Sequence, residues 1–358
     1  MMKFMGVTRN KLKVTLSVFI FLLINASSFI SAQSLLGSGA TFPYPFYKYL
    51  FNKYKSISGV DTQYLPIGSG NGFEQLKNRH IDFGASDVYI KDDLLKELPG
   101  DIVHIPMCVG AVGIAFNLPN KIDVKLTPEI IANIFAGKIK NWDHPSIQKV
   151  NSGVKLPKLH IIVVHRNEVS GTTFVFTEFL TTQSKMWKRF FGSGGRINWP
   201  TGLGIKGNEG VAKLIKQVNG SIGYIEAVHA QKHKLKLARV QNDSGKFVRP
   251  TYKYISEAGS DPVPEDLRIS MIRSSAKKGY PIRSYSWIML YKEQAYNDRS
   301  KEQAVALVKL IKWMVNDGQN FAKTVGYGRV PEIVSKQATK LLKDITYNGK
   351  PIYSLSKK

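Results

Sequence analysis

The chain has 358 residues, 43% of them hydrophobic and 22% charged, and carries a formal net charge of +25 at pH 7. That length accommodates two substantial domains with separate cores, and the ordinary composition, free of low-complexity tracts and fixed-period repeats, excludes a fibrous or disordered chain. A lone cysteine, Cys108, excludes an internal disulfide, and its neighbours Ile105, Met107 and Val109 predict a buried, inert thiol.

At the amino terminus Lys3, Arg9, Lys11 and Lys13 precede an apolar stretch over 14–30, which Ser31 and Ala32 follow. This is the pattern of a secretory signal peptide, 1–32, cleaved after Ala32. No cysteine stands near its end, so no lipid attachment is expected there, and export implies a periplasmic or released protein. The segment holds four positive residues and no acidic one, so cleavage leaves +21. No later run approaches the roughly 18 apolar residues of a membrane span.

From Gln33 onward short apolar runs alternate with amphipathic stretches, the signature of α/β architecture. A strand over 34–36 runs into Gly37-Ser38-Gly39-Ala40-Thr41-Phe42, and a helix begins at Pro43 or Pro45 and continues to Ser56. Its aromatics, Phe46, Tyr47, Tyr49, Phe51 and Tyr54, repeat at helical spacing and are assigned to the core, so no nucleic-acid partner is expected. A strand over 61–67 turns through Gly68-Ser69-Gly70 into a helix reaching Arg79, and a strand over 81–85 ends at Ser86-Asp87. Two β-rich runs, 104–118 and 282–291, read as hinge crossings. They divide the chain into 33–109 with 286–358 and 110–285. Between them lie a helix to Phe135, a strand over 160–166, a helix capped by Ser170-Gly171-Thr172 that reaches Leu180, and a strand over 222–226. The polar, Pro- and Gly-rich segment 244–278 is expected to loop over the surface, and 302–316 is an amphipathic helix.

Four motifs carry the chemistry: Gly39-Ala40-Thr41-Phe42, Gly68-Ser69-Gly70, Ser86-Asp87, and Arg166 with Ser170-Gly171-Thr172. Three adjoin helix starts, where free backbone N–H groups and the helix dipole attract anions. Neutral hydroxyls, one arginine and one aspartate suit a small tetrahedral oxyanion that still carries a proton. Taken singly, each Ser or Thr at a helix start would be a helix cap.

Other chemistries fit poorly. Asp87 and Arg166 lack a nucleophile–base partner, which argues against a phosphatase. Seven histidines are scattered without metal-ligand spacing. Gly202-Leu203-Gly204-Ile205-Lys206-Gly207 satisfies G-x-G-x-x-G, with Glu226 about 20 residues on, but the residues before it make a poor strand.

These motifs resemble the periplasmic phosphate-binding proteins of phosphate-specific ABC transporters. Phe135-Ala136-Gly137-Lys138-Ile139-Lys140-Asn141-Trp142-Asp143, Trp199-Pro200 through Gly210, and Gly220-Ser221-Ile222-Gly223-Tyr224 extend the resemblance over the whole mature chain. It implies a two-lobed, type II solute-binding α/β fold with a β-strand hinge and a ligand cleft between the lobes. It further implies a monomeric receptor without cofactor or metal, whose partners are phosphate and a membrane permease driven by a cytoplasmic ATPase. The phosphate contacts it implies are Thr41, Phe42, Ser69, Asp87, Arg166, Ser170, Gly171 and Thr172, with Phe42 and Gly171 giving backbone N–H groups. The family usually pairs the arginine with an aspartate two residues on. Here that residue is Glu168, one methylene longer. Asp87 is expected to accept the proton that phosphate keeps at neutral pH and sulfate lacks.

Overall fold

A computed structural model describes residues 34–119, 122–257, 261–272 and 275–353. The signal-peptide expectation for 1–32 lies outside the described residues. In chain order the strands are β1 (Ser34–Gly39), β2 (Asp61–Leu65), β3 (Phe83–Ser86), β4 (Ile102–Phe116), β5 (Lys125–Leu126), β6 (Ile162–Arg166) and β7 (Leu203–Ile205). There follow β8 (Ser221–Glu226), β9 (Lys236–Leu237), β10 (Arg239–Gln241), β11 (Phe247–Val248), β12 (Arg283–Tyr291), β13 (Thr346–Tyr347) and β14 (Lys350–Pro351).

One sheet runs β2-β1-β3-β12-β4-β8-β6-β7, with β9 against β4. Its two ends are parallel: β1 lies between β2 and β3, and β6 between β8 and β7. The centre is antiparallel. There β4 pairs with β12 over residues 102–111 and with β8 over 112–116, so one strand belongs to both halves of the sheet. The run read as crossing strands over 104–118 is thus a single strand of 15 residues, buried along almost its whole length. A continuous apolar run suits a strand covered on both faces.

The helices form where the sequence patterns ask for them. Tyr44–Ser58 starts beside two prolines and stops at Gly59, whose φ of 76° is the left-handed cap that glycine accepts most readily. Phe46, Tyr47, Leu50, Phe51 and Tyr54 face inward at i, i+1, i+4, i+5 and i+8, so these four aromatics are core residues, whereas Tyr49, also assigned to the core, is only partly buried against it. Gly171–Gln183 follows β6, and Gly207–Gln217 follows β7.

One expectation needs amendment, and one motif already set aside is accounted for. The segment 244–278 is not loop throughout, because Phe247–Val248 pairs with β10 and Tyr252–Ile255 forms a helical turn that buries Ile255. The G-x-G-x-x-G run is itself the edge strand β7 and opens directly into a helix. It offers no strand-then-loop cradle for a pyrophosphate, and Glu226 instead caps the helix Ala227–Lys232.

Candidate functional site

The site grows from strand ends. β1 closes on Gly39, whose φ of 138° and approach to Ala85 leave no room for a side chain: a Cβ would stand 2.1 Å from the Ala85 carbonyl oxygen. Two backbone bonds fix the turn. The Ala40 N–H donates to Ala85 O at 2.9 Å and the Gly68 N–H to Gly39 O at 2.8 Å. Thr41 and Phe42 follow at the head of the helix Tyr44–Ser58. Behind them the Tyr64 hydroxyl donates to Ala40 O at 2.8 Å and the Tyr327 hydroxyl to Phe42 O at 2.7 Å. Gly68, at φ 97°, turns β2 into the helix Ser69–Lys77, so Ser69 stands at a helix start.

Asp87 directly follows β3 and is only 2% exposed. The Ser286 hydroxyl donates to Asp87 Oδ1 at 2.9 Å, and the Ser284 hydroxyl to the Asp87 carbonyl at 3.0 Å. Burial pushes the carboxyl up to about 7, although the Ser286 hydrogen bond and the Arg166 charge pull the other way.

From the other half come Arg166, at the end of β6, and the loop that follows it. The buried guanidinium donates from Nε to Glu168 Oε1 at 2.8 Å, and Nη2 contacts the same oxygen. Glu168 Oε1 also accepts the Gly207 N–H at 3.0 Å. Burial alone would raise the Glu168 carboxyl, but the Arg166 hydrogen bond and charge, with backbone donors, outweigh it and hold it below the usual range. The longer side chain therefore grips Arg166 and the start of the next helix with one oxygen. Its buried Oε2 has no hydrogen-bond partner among the described residues. Ser170 caps the helix Gly171–Gln183, accepting the Thr173 N–H at 3.2 Å. It is the one predicted site residue that makes a side-chain cap; neither Thr41 nor Ser69 does.

The two sets meet. The Gly171 N–H donates to Ser69 Oγ at 3.2 Å, and the Gly70 N–H reaches Val169 O at 3.4 Å. A Cβ on Gly171 would lie 2.7 Å from Asp87 Oδ2, so acid and helix start face one another directly. Arg166 Nη1 donates to Thr172 Oγ1 at 3.4 Å. Asn208 Nδ2 donates to both Thr41 Oγ1, at 2.8 Å, and Thr172 Oγ1, at 3.2 Å. Phe42 and Ser170 enter as chain neighbours of Thr41 and Gly171. All eight residues singled out from the sequence, with Glu168, therefore gather at the carboxyl ends of β1, β2, β3 and β6, where ligands collect in open α/β sheets.

Asn208, Glu226 and His229 also adjoin the site, and no local motif marks them as doing so. Glu226 is buried and accepts the Val228 and His229 N–H groups at 2.8 and 3.1 Å; burial pushes its carboxyl up to about 8. His229 Nε2 lies 3.0 Å from Thr41 O, which can only accept, so the ring donates there. Burial lowers that imidazole to about 4, which keeps it neutral. Cys108 is buried and unpaired. Among the described residues no three His, Cys, Asp or Glu side chains gather as a metal site. A cavity of about 810 Å³ lies elsewhere, against Phe116, Leu237 and Tyr252.

Chemically, the site offers hydroxyl and amide donors, one arginine whose charge is shared with Glu168, and one acid poised near neutrality. That is a receptor surface for an anion.

Residues 26–317 match the family described as PBP superfamily domain. Phosphate-binding protein PstS of Pasteurella multocida (strain Pm70) is 36% identical over 308 residues, covering 85% of this chain and 88% of that protein. The protein of the same name from Methanocaldococcus jannaschii is 35% identical over 323 residues, covering 84% and 83%. Among solved structures, a high affinity periplasmic phosphate-binding protein (PfluDING), bound with phosphate, aligns with a TM-score of 0.69 at 19% identity, over 89% of this chain and 100% of that one. A phosphate-binding protein from Stenotrophomonas maltophilia aligns at a TM-score of 0.64 and 18% identity, over 85% and 92%. These two carry the shared two-lobed fold; the sequence relatives carry the kinship. The chain belongs to the PBP superfamily and, within it, to the family of phosphate-binding proteins named PstS.

Proposed function

We propose that this protein is a non-enzymatic, high-affinity receptor for inorganic phosphate, exported to the periplasm, that delivers its ligand to the permease of a phosphate ABC importer. Thr41, Phe42, Ser69, Asp87, Arg166, Ser170, Gly171 and Thr172 contact the anion, and Glu168 orients the arginine. The lobes are 33–109 with 286–358 and 110–285, joined through β4 and β12. The receptor works as a monomer, and the permease is powered by a cytoplasmic ATPase.

One observation carries this reading: a buried acid, Asp87, is set within a ring of donors. An acid facing an anion repels it unless one proton lies between them. Phosphate brings that proton at neutral pH, and sulfate does not. A site built around a required hydrogen bond can discriminate by about 10⁴ or more against a ligand that lacks it. With its pKa near 7, Asp87 can also supply the proton itself in acid. One hydrogen then still bridges Asp87 and the ligand, with Asp87 rather than the ligand as its donor.

Calorimetric titration of the mature protein tests the reading. One saturable phosphate site at pH 8, little weakened by salt and not matched by sulfate, is the expected result. Binding that ignores phosphate and collapses with salt would mark a polyanion-binding surface instead, and turnover of a phosphate ester would mark an enzyme.

A further inference from the structure

Asn208 belongs to none of the motifs that point to the anion, yet it is fully buried and touches two of the residues that do. It is the second residue of the helix Gly207–Gln217. Its side-chain oxygen accepts the Glu226 backbone N–H at 3.0 Å. A backbone N–H can only donate, so this bond assigns the two ends of the amide without ambiguity. Nδ2 therefore faces Thr41 Oγ1 and Thr172 Oγ1 with two hydrogens, one for each.

The consequence lies in the protons. An amide nitrogen has no free lone pair, so both hydroxyl oxygens must accept from it. Thr172 Oγ1 accepts a second time, from Arg166 Nη1, which also can only donate. With its oxygen so engaged, the Thr172 hydroxyl has its hydrogen left to give away. Thr41 is biased the same way. Since Thr41 follows β1 and Thr172 follows β6, one amide sets the polarity of a hydroxyl from each half of the sheet.

We propose that Asn208 is a positioning residue that fixes the Thr41 and Thr172 hydroxyls as hydrogen-bond donors, so that the site is preorganised for a ligand made only of acceptors. This rests on the reading of the protein as a phosphate receptor and assigns the device that sets its polarity. Asn208 acts through the two threonines and needs no contact with the ligand. It serves phosphate and sulfate alike, whereas Asp87 separates them.

The test is calorimetry with phosphate on the mature protein and on Asn208→Asp, Asn208→Ala, Thr41→Val/Thr172→Val, and that pair combined with Asn208→Ala. Asn208→Asp keeps the side chain's shape and its acceptor for the Glu226 N–H, so it folds. Its carboxylate takes the hydroxyl hydrogens and turns lone pairs toward the anion. Affinity should fall by about a hundredfold or more, and by about tenfold or more in Asn208→Ala, as expected for charge-assisted hydrogen bonds lost or misdirected. In the double-valine background Asn208→Ala should cost less than about threefold, because the groups it orients are gone. Asn208→Asp within about threefold of wild type, or an Asn208→Ala penalty undiminished in the double-valine background, would overturn the assignment. Failure of the unaltered protein to bind phosphate would defeat the functional reading itself, which keeps the two failures apart.

Discussion

Ser69 accepts the Gly171 backbone N–H at 3.2 Å, across 102 positions of sequence, and so ties a helix start in one half of the sheet to a helix start in the other. Gly171 is the narrowest point of that meeting. A Cβ there would stand 2.6 Å from Ser69 Oγ and 2.7 Å from Asp87 Oδ2. Gly171→Ala is therefore expected to keep the halves apart and to lower phosphate affinity by about a hundredfold, the cost of misplacing a binding group by an ångström. The fold should not suffer, since alanine is about 1 kcal/mol better than glycine inside a helix. Calorimetry together with thermal unfolding of the ligand-free protein checks both halves of the expectation.

Arg166 and Glu168 form a buried pair, with side chains 1% and 11% exposed. Arg166→Ala should weaken phosphate binding by several kcal/mol and also destabilise the protein by about 3–5 kcal/mol, because Glu168 is left as a buried charge. Adding Glu168→Gln should restore much of the stability and little of the affinity. Unfolding curves and phosphate titrations on the two variants separate these contributions. Affinity near that of wild type in Arg166→Ala would remove the arginine from the site.

Asp87→Asn replaces an acceptor by a group that also donates. It should erode the preference for phosphate over sulfate while leaving Ser286 a partner. In the unaltered protein the same preference is expected to shrink with acidity. Below about pH 7 the Asp87 carboxyl carries its own proton and can offer it to sulfate. Sulfate competition measured at pH 5.5 and pH 8 should differ in that direction; equal competition at both would remove Asp87 from its discriminating role.

Stability without ligand should also depend on pH. Asp87 rises from an ordinary 3.8 to about 7 and Glu226 from 4.5 to about 8, so the folded protein holds two protons that the unfolded chain releases. The stabilisation from those raised values is complete below about pH 4 and is lost as pH climbs through 7 and 8. Denaturant unfolding between pH 6.5 and pH 9 should show that decline, above the range in which the buried neutral His104 and His229, lowered from 6.5 to about 3 and about 4, act in the opposite sense. Glu226→Gln, which keeps an oxygen for the Val228 and His229 N–H groups, should flatten it. A profile that rises over this range would contradict the burial assigned to both acids.

The four motifs were readable because the turns that build them are local. Gly39 and Gly68 sit at positive φ beside the strand ends they terminate, and Ser170 caps its own helix. What supports the motifs was not readable in the same way. Asn208, Glu226 and Tyr327 reach the Thr41–Phe42 turn from 167 to 285 positions away or through one another, and only folding brings them there. Ser284 and Ser286 did leave a trace. They alternate with Arg283, Tyr285 and Trp287 in a strand whose every residue is buried, a polar step of two in an interior strand. Of the four hydroxyls in the anion motifs, each of which taken singly would read as a cap, only Ser170 caps a helix; Thr41 and Ser69 are held from the other half by Asn208 and the Gly171 N–H, and Thr172 by Arg166 and Asn208 of its own half.

Strand β4 changes partner in mid-course, leaving β12 after Ala111 and taking up β8 at Val112. In the receptor proposed above, a swing of one lobe against the other would twist β4 where its two sets of partners meet. Gly110 lies at that joint, and the Phe42 ring occupies the space a side chain would fill. A side chain at Gly110 would therefore displace the ring of Phe42, so one aromatic couples the crossing strand to the anion site in the proposed receptor.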